Sequence, residues 1–181
     1  RRLDSVVRVK GGDPSVFGRG AEEAGACRAA GVPTQTVPGI SSSVAAPTAA
    51  GISVTRRGVS SGFCVVTAKQ DADSTPIDWA ALAHSGLTLV VLMGASRAAL
   101  IRDRLLVGGM AADTAVAVVT DASLPTQRTR RLRLAELGVG PVDSPSVLVI
   151  GAVADPELSV LGTVGHDMRA TRSLVGSSSN T

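Results

Sequence analysis

The chain has 181 residues, 44% of them hydrophobic and 18% charged, with a formal net charge of +3. That composition buries a core and excludes an intrinsically disordered chain. Aromatic residues make up only 2% and tyrosine is absent, so the stacking platforms of a single-strand nucleic-acid binder are missing. No apolar run reaches the ~18 residues of a membrane span. Arg1-Arg2-Leu3-Asp4 carries no signal-peptide core. The expectation is a soluble, cytoplasmic protein with neither membrane nor nucleic acid as partner. Of the 18 basic residues only Lys10 and Lys69 are lysine, and arginine favours planar capture of carboxylate or phosphate. Cys27 and Cys64 stand alone in apolar surroundings and read as buried, reduced thiols. His84 and His166 show no ligand spacing, so no metal is expected.

In chain order, Ser5-Val6-Val7-Arg8-Val9-Lys10 is a β-branched run that stops at Gly11-Gly12 and predicts a strand. A turn-rich stretch to Gly20 follows. Residues 21–30 have helical composition, with Glu22 and Glu23 placed where they complement the helix dipole. Val32 to Val37 predicts a second short strand ending at Pro38-Gly39. Ile40 to Ala50 predicts a helix with Ser41 or Ser42 as cap and Pro47 perturbing it. This alternation is the rhythm of a parallel α/β sheet. Residues 51–62 are polar, Gly-punctuated and linker-like. A second series then gives strands at 63–67, 87–93, 115–119, 128–134 and 146–153, and helices at 78–83 and 96–107. In the second of these helices the apolar periodicity rests on Ala99, Leu100, Leu105 and Leu106. The expected division is residues 1–58, 59–165 and a polar tail, 166–181. Two strands in about fifty residues cannot close a doubly covered sheet. The first unit is therefore expected to be incomplete, with an N-terminal portion outside this sequence.

The most informative loop is Lys10-Gly-Gly-Asp-Pro-Ser-Val-Phe-Gly-Arg-Gly20. Open α/β sheets bind ligands beyond the carboxyl ends of their strands, where this loop is expected. Gly11 and Gly12 permit close backbone approach. Asp13, held extended before Pro14, offers a carboxylate to an amine-bearing group. Arg19 projects from a helix start and shares a face with Glu22 at i, i+3 spacing.

VVRVKGGDPSVFGRGAEE, GVPTQTVPGISSSVAAPTAAGISVTRRG, VVTAK, LVVLMGA and QR together resemble the tetrapyrrole methylases. The resemblance runs in register from about Val6 to Ala154. Within that family it is closest to the uroporphyrinogen-III C-methyltransferase branch, a form that also occurs as the C-terminal part of siroheme synthase. It implies two α/β domains with S-adenosylmethionine folded into the cleft between them, a tetrapyrrole substrate, a homodimer and no metal. Position by position, it implies cofactor contacts at Gly11, Gly12, Asp13, Val16, Ser41, Ser42, Met93 and Ala122. It also implies substrate-side arginines at Arg19 and Arg57. Arg19, held by Glu22, is further implied as the base that removes a ring-bridge proton. Departures from the family are Ala49 for Tyr, Arg56 for His, Ala68-Lys69 for Gly-His, and the absence here of the family's N-terminal GxGPGDP loop.

Competing readings are a later precorrin methyltransferase of the same family, a non-catalytic fragment, and a basic binding module built on Arg128, Arg130, Arg131 and Arg133. In a strand, those arginines divide between two faces, 128 and 130 against 131 and 133. A charged edge strand is then the simpler account.

Overall fold

The computed structural model describes residues 5–69 and 76–159. Five strands form one sheet in the order β1-β2-β5-β3-β4. They are β1 (Phe63–Thr67), β2 (Thr88–Leu92), β3 (Ala115–Thr120), β4 (Arg128–Arg133) and β5 (Ser146–Ile150). The helices are α1 (Gly20–Ala29), α2 (Ser42–Ala49), α3 (Trp79–His84) and α4 (Ala98–Val107). Short 3-10 turns follow β2, β4 and β5. The predicted tail, with His166, lies outside the described residues.

The sheet is mixed. Only β1 and β2 pair in parallel, joined by the crossover through α3, while β2–β5, β5–β3 and β3–β4 are antiparallel. The connection from β3 to β4 is a short turn, which permits only an antiparallel neighbour. β5 then inserts between β2 and β3, so those two run the same way and end at one edge of the sheet.

β2, β3 and β5 are buried along their whole length, which explains why they read as continuous apolar runs rather than alternating ones. Alternation divides their side chains between two layers. Val90, Leu92, Ala117, Val119, Val147 and Val149 face Ala46 and Ala50 around α2. Leu89, Val91, Val116, Val118, Leu148 and Ile150 face Ala98, Ile101 and Leu105 of α4, with Trp79 and Leu82 of α3 beside them. The small residues on α2 let that helix lie close to β5 and β2. α2, which precedes the expected division at residue 58, thus packs on the sheet formed by residues 63–150. The buried hydroxyls are paired, Thr120 with Ser146 at 2.7 Å and Thr88 with Ser60 at 3.1 Å.

Several expectations are corrected. Residues 5–10 and 32–37 are not strands. They have β-branched composition, but among the described residues they join no β-ladder. Unpaired, they are also exposed, Val7 by 81% and Val37 by 73%. Residues 8–10 are instead tied to α1 by charge, with Glu23 accepting from Lys10 Nζ at 2.7 Å and from Arg8 Nη2 at 3.3 Å. The face of α4 that meets the sheet is 98, 101 and 105 rather than one built on 99 and 100, and Leu100 is exposed. α2 passes through Pro47 without ending there. Cys27 and Cys64 are free but only half-buried. Among the described residues no helix is long and apolar enough to cross a membrane.

The run Arg128–Arg133 forms the edge strand and builds no basic stripe. Arg128 pairs with Asp143 at 3.0 Å, and Arg133 donates to the Asp113 carbonyl at 3.1 Å. Arg131 turns inward, donating to the carbonyls of Ala154 and Ala50 and to Ser159 Oγ. Burial lowers its guanidinium below the ordinary value, against the opposing pull of Asp155.

Leu148 is fully buried in the central strand. Leu148→Ala is expected to cost about 2–5 kcal/mol in chemical denaturation. Val7→Ala, on an exposed segment, should stay within about 0.5 kcal/mol of the parent.

Candidate functional site

Two loops meet beside the sheet. Asp13 Oδ1 accepts from the Ser15 amide at 2.8 Å and from the Ser15 hydroxyl. Its Oδ2 accepts from the Gly39 amide at 3.0 Å. The carboxylate therefore joins the GGDP loop to the VPG turn 26 residues later. These bonds hold the carboxyl below its ordinary range, the Ser15 hydroxyl contributing most. The backbones also touch: a Cβ on Gly39 would lie 2.6 Å from the Gly12 carbonyl oxygen, so only glycine fits there. Gly12 has φ +101°, a conformation that disfavours side chains.

The VPG turn leads directly into α2. Ser41 is its cap, its Oγ accepting from the Ser43 amide at 3.2 Å. Ser42 follows in the first turn, exposed. On the other side of Asp13, Val16 packs on the apolar layer shared by α2 and the sheet, and Ala122 packs on that same layer. Met93 immediately follows β2, and Asp121 immediately follows β3. Both strands end at one edge, so Met93 and Ala122 are brought to the same side of the sheet.

The backbone is strained there. Among the described residues the non-glycine positive φ values belong to Phe17, Arg19, Met93, Asp121 and Ser123. Each falls in the GGDP loop or just past the ends of β2 and β3. Such conformations cost about 1–3 kcal/mol apiece and persist where surrounding structure over-determines them. Met93, 46% exposed, is turned out of the strand alternation by its φ of 54°. Around Ala122 the restraint is visible. Thr126 Oγ1 donates to Asp121 at 3.0 Å, and Gln127 Oε1 accepts from the Ser123 amide at 2.6 Å. Gln127 Nε2 also donates to the Ala49 carbonyl at 3.0 Å, coupling this turn to the end of α2. The sequence shows Gln127 only as part of the QR motif and does not disclose its role, and nothing in it marks Asp121 or Ser123 as left-handed.

The polar candidates divide. Arg19 caps α1 in a left-handed conformation, its Nε 3.7 Å from Glu22 Oε1, with side chains 81% and 63% exposed. The Gly20 amide donates to the Pro14 carbonyl at 3.1 Å, keeping this pair at the head of the GGDP loop. Arg57 is not brought to that edge. It sits in the turn of Arg56–Ser60, and Ser60 bonds to Thr88 at the opposite end of β2 from Met93, roughly 15 Å away along the strand. Arg56 is occupied, donating to the Leu158 carbonyl at 2.8 Å.

The sequence model of the tetrapyrrole (corrin/porphyrin) methylases matches residues 1–138. The chain belongs to this family. Its relatives include the uroporphyrinogen-III C-methyltransferase of Pseudomonas aeruginosa, 49% identical over 84% of this chain and 64% of that protein. They also include a siroheme synthase of Neisseria meningitidis, 43% identical over 82% of this chain and 31% of that protein. Among solved methylase structures, the uroporphyrin-III C-methyl transferase of Thermus thermophilus, complexed with S-adenyl homocysteine, is 38% identical. It superposes with a TM-score of 0.73 over 82% of this chain and 66% of its own. The chain thus spans less than two thirds of the length of these tetrapyrrole methylases.

Because its hydrogen bonds depress the folded-state value, Asp13 contributes stability above the ordinary carboxylate value of about 3.9. That contribution is lost as pH falls through the folded value. Carboxyl-carbon NMR should find an Asp13 midpoint below the ordinary value, with the Gly39 amide shift following the same curve. A midpoint at or above it, or a Gly39 amide indifferent to the titration, would contradict the Asp13–Gly39 bond.

Proposed function

We propose that the chain carries the methyl-donor site of an S-adenosylmethionine-dependent uroporphyrinogen-III C-methyltransferase, forming precorrin-2 in siroheme or cobalamin biosynthesis. The observation that carries this reading is the pair of glycine loops locked to each other, with Val16 of the first loop and Ala122 from beyond β3 packed on the same apolar layer. The relatives that share this sequence support it. On the same reading the enzyme is cytoplasmic and, as the resemblance implies, a homodimer.

The residues present fit the group. Gly11, exposed and with nothing within 4 Å of where a Cβ would stand, leaves the backbone open to the amino-acid end of the donor, and the exposed Gly12 follows it. The exposed Ser42 hydroxyl suits a ribose. Val16, Ala122 and the exposed Met93 thioether offer apolar surface to a base. S-adenosylmethionine supplies an already electrophilic methyl on a sulfonium, and the reduced pyrrole carbon is electron-rich. What remains for the chain is alignment of the two, the task a rigid two-loop frame performs.

Uroporphyrinogen is a polycarboxylate, and Arg19 stands at the head of the GGDP loop with Glu22 setting its direction. We assign Arg19 to anchoring a substrate carboxylate. The resemblance also implies Arg19, held by Glu22, as the base for a ring-bridge proton, but guanidinium groups in general are poor bases, and anchoring is the role proposed. Arg57, at the far end of β2, is proposed to meet a different, peripheral carboxylate of the same macrocycle.

Methyl transfer from labelled S-adenosylmethionine to uroporphyrinogen III, run beside calorimetry with S-adenosylhomocysteine, tests the assignment. A charged hydrogen bond contributes about 1.5–3 kcal/mol, so Arg19→Ala should raise KM for uroporphyrinogen roughly 10- to 100-fold. Arg57→Ala should do the same, and neither should move S-adenosylhomocysteine affinity more than about twofold. Equal loss of both quantities would place the arginine at the donor site or in the fold. Turnover of a precorrin but not of uroporphyrinogen would move the chain to a different branch of the family.

A further inference from the structure

Residues 33–40 precede α2 and deliver Ser41 and Ser42 to the site. They are exposed throughout, Ile40 by 79%, so apolar burial does not hold them. Among the described residues, their hydrogen bonding to the rest of the chain consists of one bond, from the Gly39 amide to Asp13 Oδ2. The backbone of Gly39 lies against Gly12 with no room for a side chain. Both oxygens of Asp13 are thus engaged within the chain, Oδ1 by its own turn at Ser15 and Oδ2 by a turn far off in sequence.

We propose that Asp13 is a positioning residue whose carboxylate fixes the GGDP loop to the VPG turn, and that the donor site is assembled by this junction rather than by a bond from Asp13 to the ligand. The inference rests on the functional reading above and deepens it. Sequence order alone points Asp13 at an amine of the ligand. The geometry turns its second oxygen to the Gly39 amide instead. Ionised, the carboxylate is a stronger acceptor for that amide than a neutral group of the same shape. Without it, the exposed turn must be ordered by the ligand at the moment of binding, at entropic cost.

The test uses the whole chain, the Gly39 amide as a reporter of the junction, and S-adenosylhomocysteine as the ligand. Asp13→Asn keeps size and one acceptor oxygen but puts an NH2 where Gly39 needs an acceptor. It should speed Gly39 amide exchange and lower ligand affinity, each about tenfold or more. Ser15→Ala, which leaves the Gly39 bond in place, should change both less than about threefold. Gly39→Ala opens the same junction from the other side with a methyl aimed at Gly12. Combined with Asp13→Asn it should weaken binding no further than the worse single variant, because the two act on one contact. Affinity lost with Gly39 exchange unchanged, or losses that multiply in the double variant, would make Asp13 a direct ligand contact and overturn the proposal. A parent chain that binds no S-adenosylhomocysteine, yet frees Gly39 in Asp13→Asn, would uphold the loop junction. It would overturn the functional reading and with it the junction's role in a donor site.

Discussion

The constraint on which the structure depends is that three adjacent strands, β2, β5 and β3, are covered on both faces. Strand side chains alternate, so each strand must supply apolar residues to both layers, and it does: Val90 and Leu92 go one way, Leu89 and Val91 the other. Two-sided burial fixes register, because a slip of one residue would exchange the layers. Fixed register puts the ends of β2 and β3 at one edge. The same burial seats α2, whose C-terminal carbonyls at Ala49 and Ala50 are taken by Gln127 and Arg131. The first residues of α2 and the ends of two strands are thereby set in one frame, and the glycine loops are added to it.

The strongest signals in the sequence were those burial makes redundant. LTLVVLM and the run at 146–150 admit little besides a doubly covered strand, and both stand within a few residues of where they were expected. The helix at 42–49 was legible from its cap and small residues. Arg128–Arg133 was legible as an edge because its charges alternate between faces. Residues 5–10 and 32–37 were misread because composition reports fitness for a ladder, not the presence of a neighbour to pair with. The parallel rhythm was read from residues 5–50 alone, and the second series carried no sign that β5, last in sequence, lies between β2 and β3. Sequence order does not disclose an insertion of that kind.

At the site, the GGDP and VPG elements were visible as motifs, but their bond to each other was not. Asp13 and Gly39 are distant along the chain, and the carboxylate that looked free for a ligand is taken by an amide. The left-handed Met93, Asp121 and Ser123 were equally hidden, since none is a glycine. What holds them comes from hydrogen bonds such as Gln127 to the Ser123 amide, which follow from the folded arrangement alone. The site's content is mostly backbone and small side chains. That suits a reaction whose electrophile arrives preformed and whose catalyst must chiefly align two partners.

The central claim is that the donor site lies where the glycine loops meet the edge carrying Met93 and Ala122. Amide chemical-shift mapping of the labelled chain with S-adenosylhomocysteine tests it most directly. The account predicts shifts concentrated at Gly11–Asp13, Gly39, Ser41, Ser42, Met93 and Ala122, with Arg57 and Ser60 unmoved. Shifts centred on the Arg56–Ser60 turn, at the other end of the sheet, would contradict it.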